Sequence, residues 1–114
     1  MAFKQIITET IAIGESQSGI LLTNEGTLVG LSFTSGSISA SQISFLGSTD
    51  GVAFYPLYDK SGAEVTLPVV KLRSYALSEE NFSAWDYIKI REGISASPVL
   101  QATEEVSFEA ISKK

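Results

Sequence analysis

Short segments in which apolar and polar residues alternate dominate the chain. The clearest is YIKIR at residues 87–91, where Ile88 and Ile90 share one face and Lys89 and Arg91 share the other. Successive side chains of a β-strand point to opposite faces, so this pattern predicts a strand with one buried and one solvated face. The same period recurs in the segments 27–33, 42–45, 64–67 and 106–110. In the first of these, Val29, Leu31 and Phe33 are expected to face inward.

Turn signals separate the alternating segments. Asp50-Gly51 predicts a two-residue hairpin turn of type I′, which needs a positive φ at both central residues. Residues 59–62 suit a longer hairpin loop with Gly62 in the left-handed conformation, and residues 24–26 suit another turn. Pro56, Pro68 and Pro98 are expected at strand ends or edges. Strands at such regular spacing predict an all-β, antiparallel sandwich or barrel in which residues 1–114 form a single domain.

One segment departs from this pattern. Residues 77–85 begin with Ser78 as a helix N-cap candidate, and two glutamates follow in the first turn. Phe82 and Trp85 are three residues apart, so they would meet on one side of a short helix. We therefore expect one helical turn near residues 78–85, with Trp85 mostly buried as a packing residue.

Composition excludes several classes of function. Cysteine and histidine are both absent among the 114 residues. Disulfides, thiolate metal sites and serine–histidine or cysteine–histidine catalysis cannot therefore be built from this chain. The net charge is −5 and the eight basic residues are scattered, which disfavours nucleic acid and anionic membrane surfaces as partners. The residues alone predict neither an enzyme nor a cofactor, and the start of the sequence does not resemble a signal peptide.

Three aspartates are the acids to consider for calcium, which prefers clustered oxygen ligands. They are Asp50, Asp59 and Asp86, and their spacing matches no known loop site. Asp50 and Asp59 already have roles in predicted turns, so turn chemistry or solvation is the favoured interpretation. No catalytic, cofactor-binding or metal-binding residue is assigned from the sequence.

An aromatic group supports two interpretations. Phe54, Tyr55, Tyr58 and Trp85 could form an exposed platform of the kind on which sandwich modules bind sugars. Alternatively, Phe54 and Trp85 fill the core while the two tyrosines cover its edge, and this second interpretation is favoured. Residues 3–13 also leave two possibilities. They predict an ordinary first strand, which is favoured, or a strand that pairs with a neighbouring subunit.

Three stretches carry a resemblance to a known group of proteins. STDGVAFYPLYDKSGAEVTL (48–67), FSAWDYIKIREG (82–93) and ASPVLQA (96–102) occur in that order. In this the chain, from about residue 43 to residue 111, resembles small structural proteins encoded in the head and tail gene clusters of tailed bacteriophages. The resemblance implies a β-sandwich of jelly-roll or discoidin-like type. Its hallmarks are scaffold residues: Asp50, Gly51, Phe54, Tyr55, Asp59, Gly62, Trp85 and the strand from Ile88 to Gly93.

The resemblance also implies a function. It predicts a non-enzymatic virion protein, made in the host cytoplasm and carried on the capsid exterior as a decoration or cement protein. Its partners would be the major capsid protein or other virion proteins, with self-association. The alternative hypothesis is a small carbohydrate-binding sandwich or a host-adhesion or tail-associated module, with a glycan as its ligand. The sequence leaves the choice between head and tail open.

Overall fold

The alternating segments form the strands of the computed structural model, which describes residues 4–23, 26–102 and 104–114. Phe3 and the predicted turn residues Asn24 and Glu25 lie outside the described residues. The strands are β1 (Lys4–Ile11), β2 (Leu21–Leu22), β3 (Thr27–Ser35), β4 (Gln42–Ser48), β5 (Tyr55–Pro56), β6 (Thr66–Pro68), β7 (Ser74–Ala76), β8 (Tyr87–Ile94), β9 (Ser97–Pro98) and β10 (Val106–Lys113). Pro56, Pro68 and Pro98 each end a short strand, as predicted.

The strands form two antiparallel sheets. The first sheet has the order β1-β10-β3-β7, and the second has the order β2-β8-β4-β5, with β6 added to β4 and β9 added to β8. The chain crosses repeatedly from one sheet to the other, and the first and last strands, β1 and β10, pair along their whole length. This is the strand order of a jelly roll, and it confirms the predicted antiparallel sandwich. The N-terminal segment forms the terminal strand β1 of the first sheet.

The hydrophobic core lies between the two sheets. Ile88 and Ile90 of β8 face it and are fully buried, as the alternation predicted. Phe45 packs edge-on against Phe82, with 4.9 Å between the ring centroids. The core consists of Ile11, Leu21, Leu28, Leu31, Phe33, Ile43, Phe45, Leu57, Val69, Phe82, Ile88, Ile90, Val106, Phe108 and Ala110.

The predicted inward face of β3 is wrong at one position. Ile111 of β10 is opposite Gly30, but the next residue, Ser112, is opposite Leu28. Val29 is thus an extra residue that forms a bulge, and a bulge reverses the alternation on one side of it. Leu28 is therefore fully buried, whereas Val29 remains partly exposed.

The prediction that Arg91 points into solvent is also wrong. Its side chain is only 6% exposed, because the segment after β5 folds over the outer face of β8. Arg91 Nη2 donates to Glu64 Oε2 at 2.8 Å, and Arg91 Nε donates to Ser44 Oγ at 3.0 Å. Glu64 also accepts a hydrogen bond from the backbone amide of Ser95. A buried, hydrogen-bonded ion pair thus replaces the solvated side chain expected at Arg91.

The predicted helical turn is present as a single 3-10 turn, Glu79–Asn81. Ser78 precedes it with extended backbone angles, but its side chain makes no capping hydrogen bond, so the N-cap prediction is wrong. Phe82, directly after the turn, is buried in the core. The described residues contain no helix that is long and apolar enough to cross a membrane.

Candidate functional site

The loop after β4 is held by two side chains. Asp50 Oδ1 accepts hydrogen bonds from the backbone amides of Val52 and Ala53 and from Ser48 Oγ. Ser48 Oγ in turn accepts from the amides of Asp50 and Gly51. These bonds favour the charged carboxylate, so the Val52 amide first, then Ala53 and Ser48, lower the pKa of Asp50. The two side chains together accept hydrogen bonds from four backbone amides of the loop.

The loop is not the two-residue type I′ turn that the sequence predicted. Gly51 has a φ of 77°, but Asp50 does not share the positive φ, and β4 and β5 begin to pair only at Gly47 and Tyr55. The side chains of Ser48 and Asp50 accept hydrogen bonds from backbone amides of the loop. In a two-residue turn, hydrogen bonds between the two strands would take their place. At residues 59–62 the prediction is confirmed, with Gly62 at a φ of 89°.

A cleft of about 490 Å³ opens between this loop, β5 and Trp85. Its size falls within the range of small-molecule sites, which is about 300–1,000 Å³. Its walls combine aromatic rings, small residues and hydroxyl groups. It is lined by Gly47, Ser48, Thr49, Asp50, Ala53, Tyr55, Pro56, Leu57, Tyr58 and Trp85.

Three aromatic side chains dominate the cleft. Tyr55 is 69% exposed and Tyr58 is 51% exposed, whereas Trp85 packs partly against the core. Trp85 can lie flat on β4 because Gly47 has no side chain: a Cβ there would come within 3.1 Å of the indole ring. The Tyr58 and Ser95 hydroxyls share a hydrogen bond of 3.3 Å, which fixes that ring. The sequence prediction was therefore right for the exposed tyrosines and for Trp85 as a mostly buried packing residue, although Trp85 packs against the core from the cleft and is not enclosed within it.

Phe54 also differs from its prediction. It is not part of the core but lies partly exposed under Lys89, with 4.6 Å from Lys89 Nζ to the ring centroid. The strand β5 is only two residues long, so the alternation does not extend back to Phe54. Leu57 takes the core position that was expected for Phe54.

A smaller recess of about 120 Å³ adjoins the cleft and shares Tyr58 and Trp85 with it. Its other lining residues are polar: Asp59, Lys60, Glu80 and Asn81. Asp59 Oδ1 accepts from the Ser61 hydroxyl and the Ala63 amide, and these bonds lower the pKa of Asp59. Lys60 pairs with Glu80 at 3.8 Å on the surface. The surroundings of the two recesses are therefore predominantly acidic.

The three aspartates considered as metal ligands have separate structural positions and roles. Asp50 and Asp59 each hold a loop, and Asp86 is exposed. In the described part of the chain, no three acids come together in a group that could hold a metal ion. The residues that line the cleft carry aromatic rings and hydroxyl groups.

One polar cluster was missed from the sequence. Glu92 continues the inward alternation of Ile88 and Ile90, and it is completely buried at one end of the core. Its Oε1 accepts from the backbone amides of Ser39 and Ala40, while Oε2 has no hydrogen-bond partner among the described residues. Gln101, also buried, donates to the carbonyls of Ser37 and Glu104 beside it. The period of two could have identified Glu92, because it places this acid on the core face.

Burial raises the pKa of Glu92, since desolvation disfavours the charged carboxylate more than its two amide donors favour it. A raised pKa in the folded state gives stability that is present at low pH and lost as the pH rises through the folded pKa. We therefore expect Glu92→Gln, which stays neutral, to gain stability relative to the wild type as the pH is raised from the ordinary pKa of a glutamate towards neutrality. Urea denaturation of both proteins across this range measures the difference. If the free energies of unfolding of the two proteins change with pH in the same way, burial does not raise the pKa of Glu92.

Together, these features define a small jelly-roll protein with an aromatic cleft at one edge of its second sheet. No family model and no curated protein sequence matches the chain. Among solved structures it is similar to the SPBc2 prophage-derived protein YomS, with a TM-score of 0.62 and 11% identity over 100% of this chain and 96% of that chain. The fold is therefore one that a prophage-derived protein also has.

Two weaker similarities have TM-scores below 0.5. One is to a protein of Bacillus endospore appendages, which are disulfide-linked pili, with a TM-score of 0.45 and 16% identity over 99% of this chain and 85% of that one. The other is to the Yersinia pseudotuberculosis-derived mitogen, with a TM-score of 0.43 and 17% identity over 96% and 86%.

Proposed function

We propose that the protein is a non-enzymatic structural component of a phage virion, bound to the outside of the capsid as a decoration protein. The observation that carries this proposal is the character of one lateral side of the sandwich, formed by residues 4–22 and called here the β1–β2 side. It holds a terminal strand of each sheet, and these two strands, β1 and β2, are in contact with each other.

The free edge of β1 favours assembly. β1 is eight residues long and pairs with β10 on one side only, as far as the described residues go. The other terminal strands, β2, β5 and β7, have two or three residues each. Proteins usually keep edge strands short, since a long one offers unpaired amides and carbonyls to another chain. β1 is thus suited to strand addition by a partner subunit.

The same side exposes large aliphatic side chains. Ile6, Ile13, Ile20 and Leu22 are between 41% and 64% exposed. Single exposed apolar residues are ordinary, but several on one segment mark a surface that contacts another protein. A partner strand that paired with the β1 edge would form backbone hydrogen bonds and would also bury the exposed isoleucines beside it.

The size of the protein bears on how it would hold to a shell. A standard interface buries about 800 Å² per partner, whereas the whole chain exposes 6111 Å². One such contact gives modest affinity after the loss of rigid-body freedom. A decoration protein of this size therefore gains stability by bridging several capsid subunits or by self-association, where weak contacts multiply. The prophage origin of the protein with a similar fold agrees with this role.

The test compares assembled shells with free capsid subunits of the phage that encodes the chain. We expect purified protein to bind shells assembled without it far more tightly than it binds free subunits, as measured by co-sedimentation and light scattering. Restored shells should also withstand heating better than bare ones. Absence of binding, or equal affinity for subunits and shells, would contradict the decoration role.

A matched pair of variants tests the surface. Ile6→Lys places a charge at the β1 edge, a change that blocks strand pairing, and should weaken shell binding by about tenfold or more. Val70→Lys makes the same change at a residue of similar exposure beside β7, at the opposite edge of the first sheet. It should bind shells like the wild type. Equal effects of the two substitutions would show that the β1–β2 side is not the contact.

A further inference from the structure

The aromatic cleft and the β1–β2 side lie at opposite edges of the second sheet, since β2 and β5 are the two ends of its strand order. A partner seated on the β1–β2 side leaves the cleft uncovered. The cleft is therefore a second surface that can bind a ligand of its own. The inference rests on the proposed function only for the direction in which the cleft faces on a particle.

The rings of the cleft suit a ligand with flat, weakly polar faces. Tyr55 and Tyr58 are largely exposed although their neighbour Leu57 is buried in the core. Such exposure of aromatic surface has a cost in water, which a ligand that covers the rings would remove. The faces of tyrosine and tryptophan carry negative charge density. They therefore attract the polarised C–H groups that line one face of a sugar ring.

Three residues that line the cleft carry polar groups for which the described part of the chain offers no hydrogen-bond partner. The Thr49 hydroxyl, the Tyr55 hydroxyl and the Trp85 indole N–H make no hydrogen bond to any described residue. Ser48 and Asp50, by contrast, spend their hydrogen bonds on the loop. Free donors around stacked rings match a ligand that is apolar on its faces and rich in hydroxyls at its rim.

Charge narrows the class of ligand. Asp50 lines the cleft, and Asp59 and Glu80 line the recess beside it. Lys60, the one basic residue that lines either recess in the described part of the chain, is already paired with Glu80. An anionic ligand would meet net repulsion here.

From these observations we infer that the cleft binds a neutral saccharide, with sugar rings stacked on Tyr55 and Tyr58 and hydroxyls bonded to Thr49 and Trp85. The recess at Asp59 and Asn81 extends the site past Tyr58, so a short oligosaccharide fills it better than a single sugar. On a particle, this site would face outward and contact glycans of the surroundings.

The chain carries its own probe for this site, because Trp85 is its single tryptophan. A printed array of neutral and anionic oligosaccharides identifies the best neutral binder, which is then titrated while the fluorescence of Trp85 is recorded. We expect a saturable change for neutral oligosaccharides and at least a tenfold weaker response for anionic ones of equal length. Absence of any neutral binder, or preference for anionic sugars, would overturn the inference.

Variants separate ring stacking from general effects. Tyr55→Ala removes an exposed ring and should weaken binding about tenfold or more, whereas Tyr55→Phe keeps the ring and should stay within a few-fold. Val52→Ala changes a residue of the same loop that is 84% exposed and does not line the cleft, and it should bind like the wild type.

Two outcomes would overturn the site while leaving the capsid role intact. The first is unchanged saccharide affinity in Tyr55→Ala. The second is binding of a proline-rich peptide at the cleft without any saccharide. Tyr55→Ala should still bind shells like the wild type, so failure of the saccharide site and failure of the decoration role are separable.

Discussion

Glu64→Leu should destabilise the protein by about 3–5 kcal/mol, as measured by urea denaturation at neutral pH. The substitution leaves the Arg91 guanidinium buried without its carboxylate, at a site where the two side chains are 6% and 13% exposed. A buried charge without a partner costs far more than the pair itself contributes. The backbone amide of Ser95 would lose its acceptor as well.

Two controls define this result. Glu80→Leu breaks an ion pair of the same charge type on the surface, where both side chains are more than 60% exposed, and should cost no more than about 1 kcal/mol. Combining Glu64→Leu with Arg91→Met removes both charges and should cost less than Glu64→Leu alone. A loss for Glu64→Leu as small as that for Glu80→Leu would mean that Arg91 is solvated.

Phe82→Ala should cost about 3–5 kcal/mol, because it opens a cavity beside Phe45 in the centre of the core. Trp85→Ala, three residues away, should cost only about 2 kcal/mol, since one side of its indole already faces the cleft. Both values come from denaturation followed by circular dichroism, which does not depend on tryptophan. A greater loss for Trp85→Ala than for Phe82→Ala would place the tryptophan inside the core and remove one wall of the cleft.

The sequence predicted the structure correctly where the position of a side chain follows from the local geometry of one strand. The alternation correctly placed Ile88 and Ile90 inside, and the prolines correctly marked the ends of short strands. These features follow from the geometry of an extended backbone and from the missing amide of proline, neither of which needs knowledge of distant residues.

The sequence failed where residues far apart decide the outcome. The local sequence predicts that Arg91 is solvated, but in the structure Arg91 pairs with Glu64, which lies 27 positions earlier in the chain. The bulge at Val29 depends on the register with β10, some 80 residues further along. One wall of the cleft forms because Gly47 leaves room for the Trp85 ring. The sequence around Gly47 and the sequence around Trp85 do not predict that contact.

The pairing of β1 with β10 sets a condition on how the protein is made. Ile7 is opposite Ala110, so the first strand has no partner until about 100 further residues have left the ribosome. Contacts of such long range form slowly, over milliseconds to seconds, and this one cannot begin to form before β10 has been made. Until then an isoleucine-rich strand stays open to other nascent chains. Lys4 and Glu9, the charges within β1, limit that association during the interval.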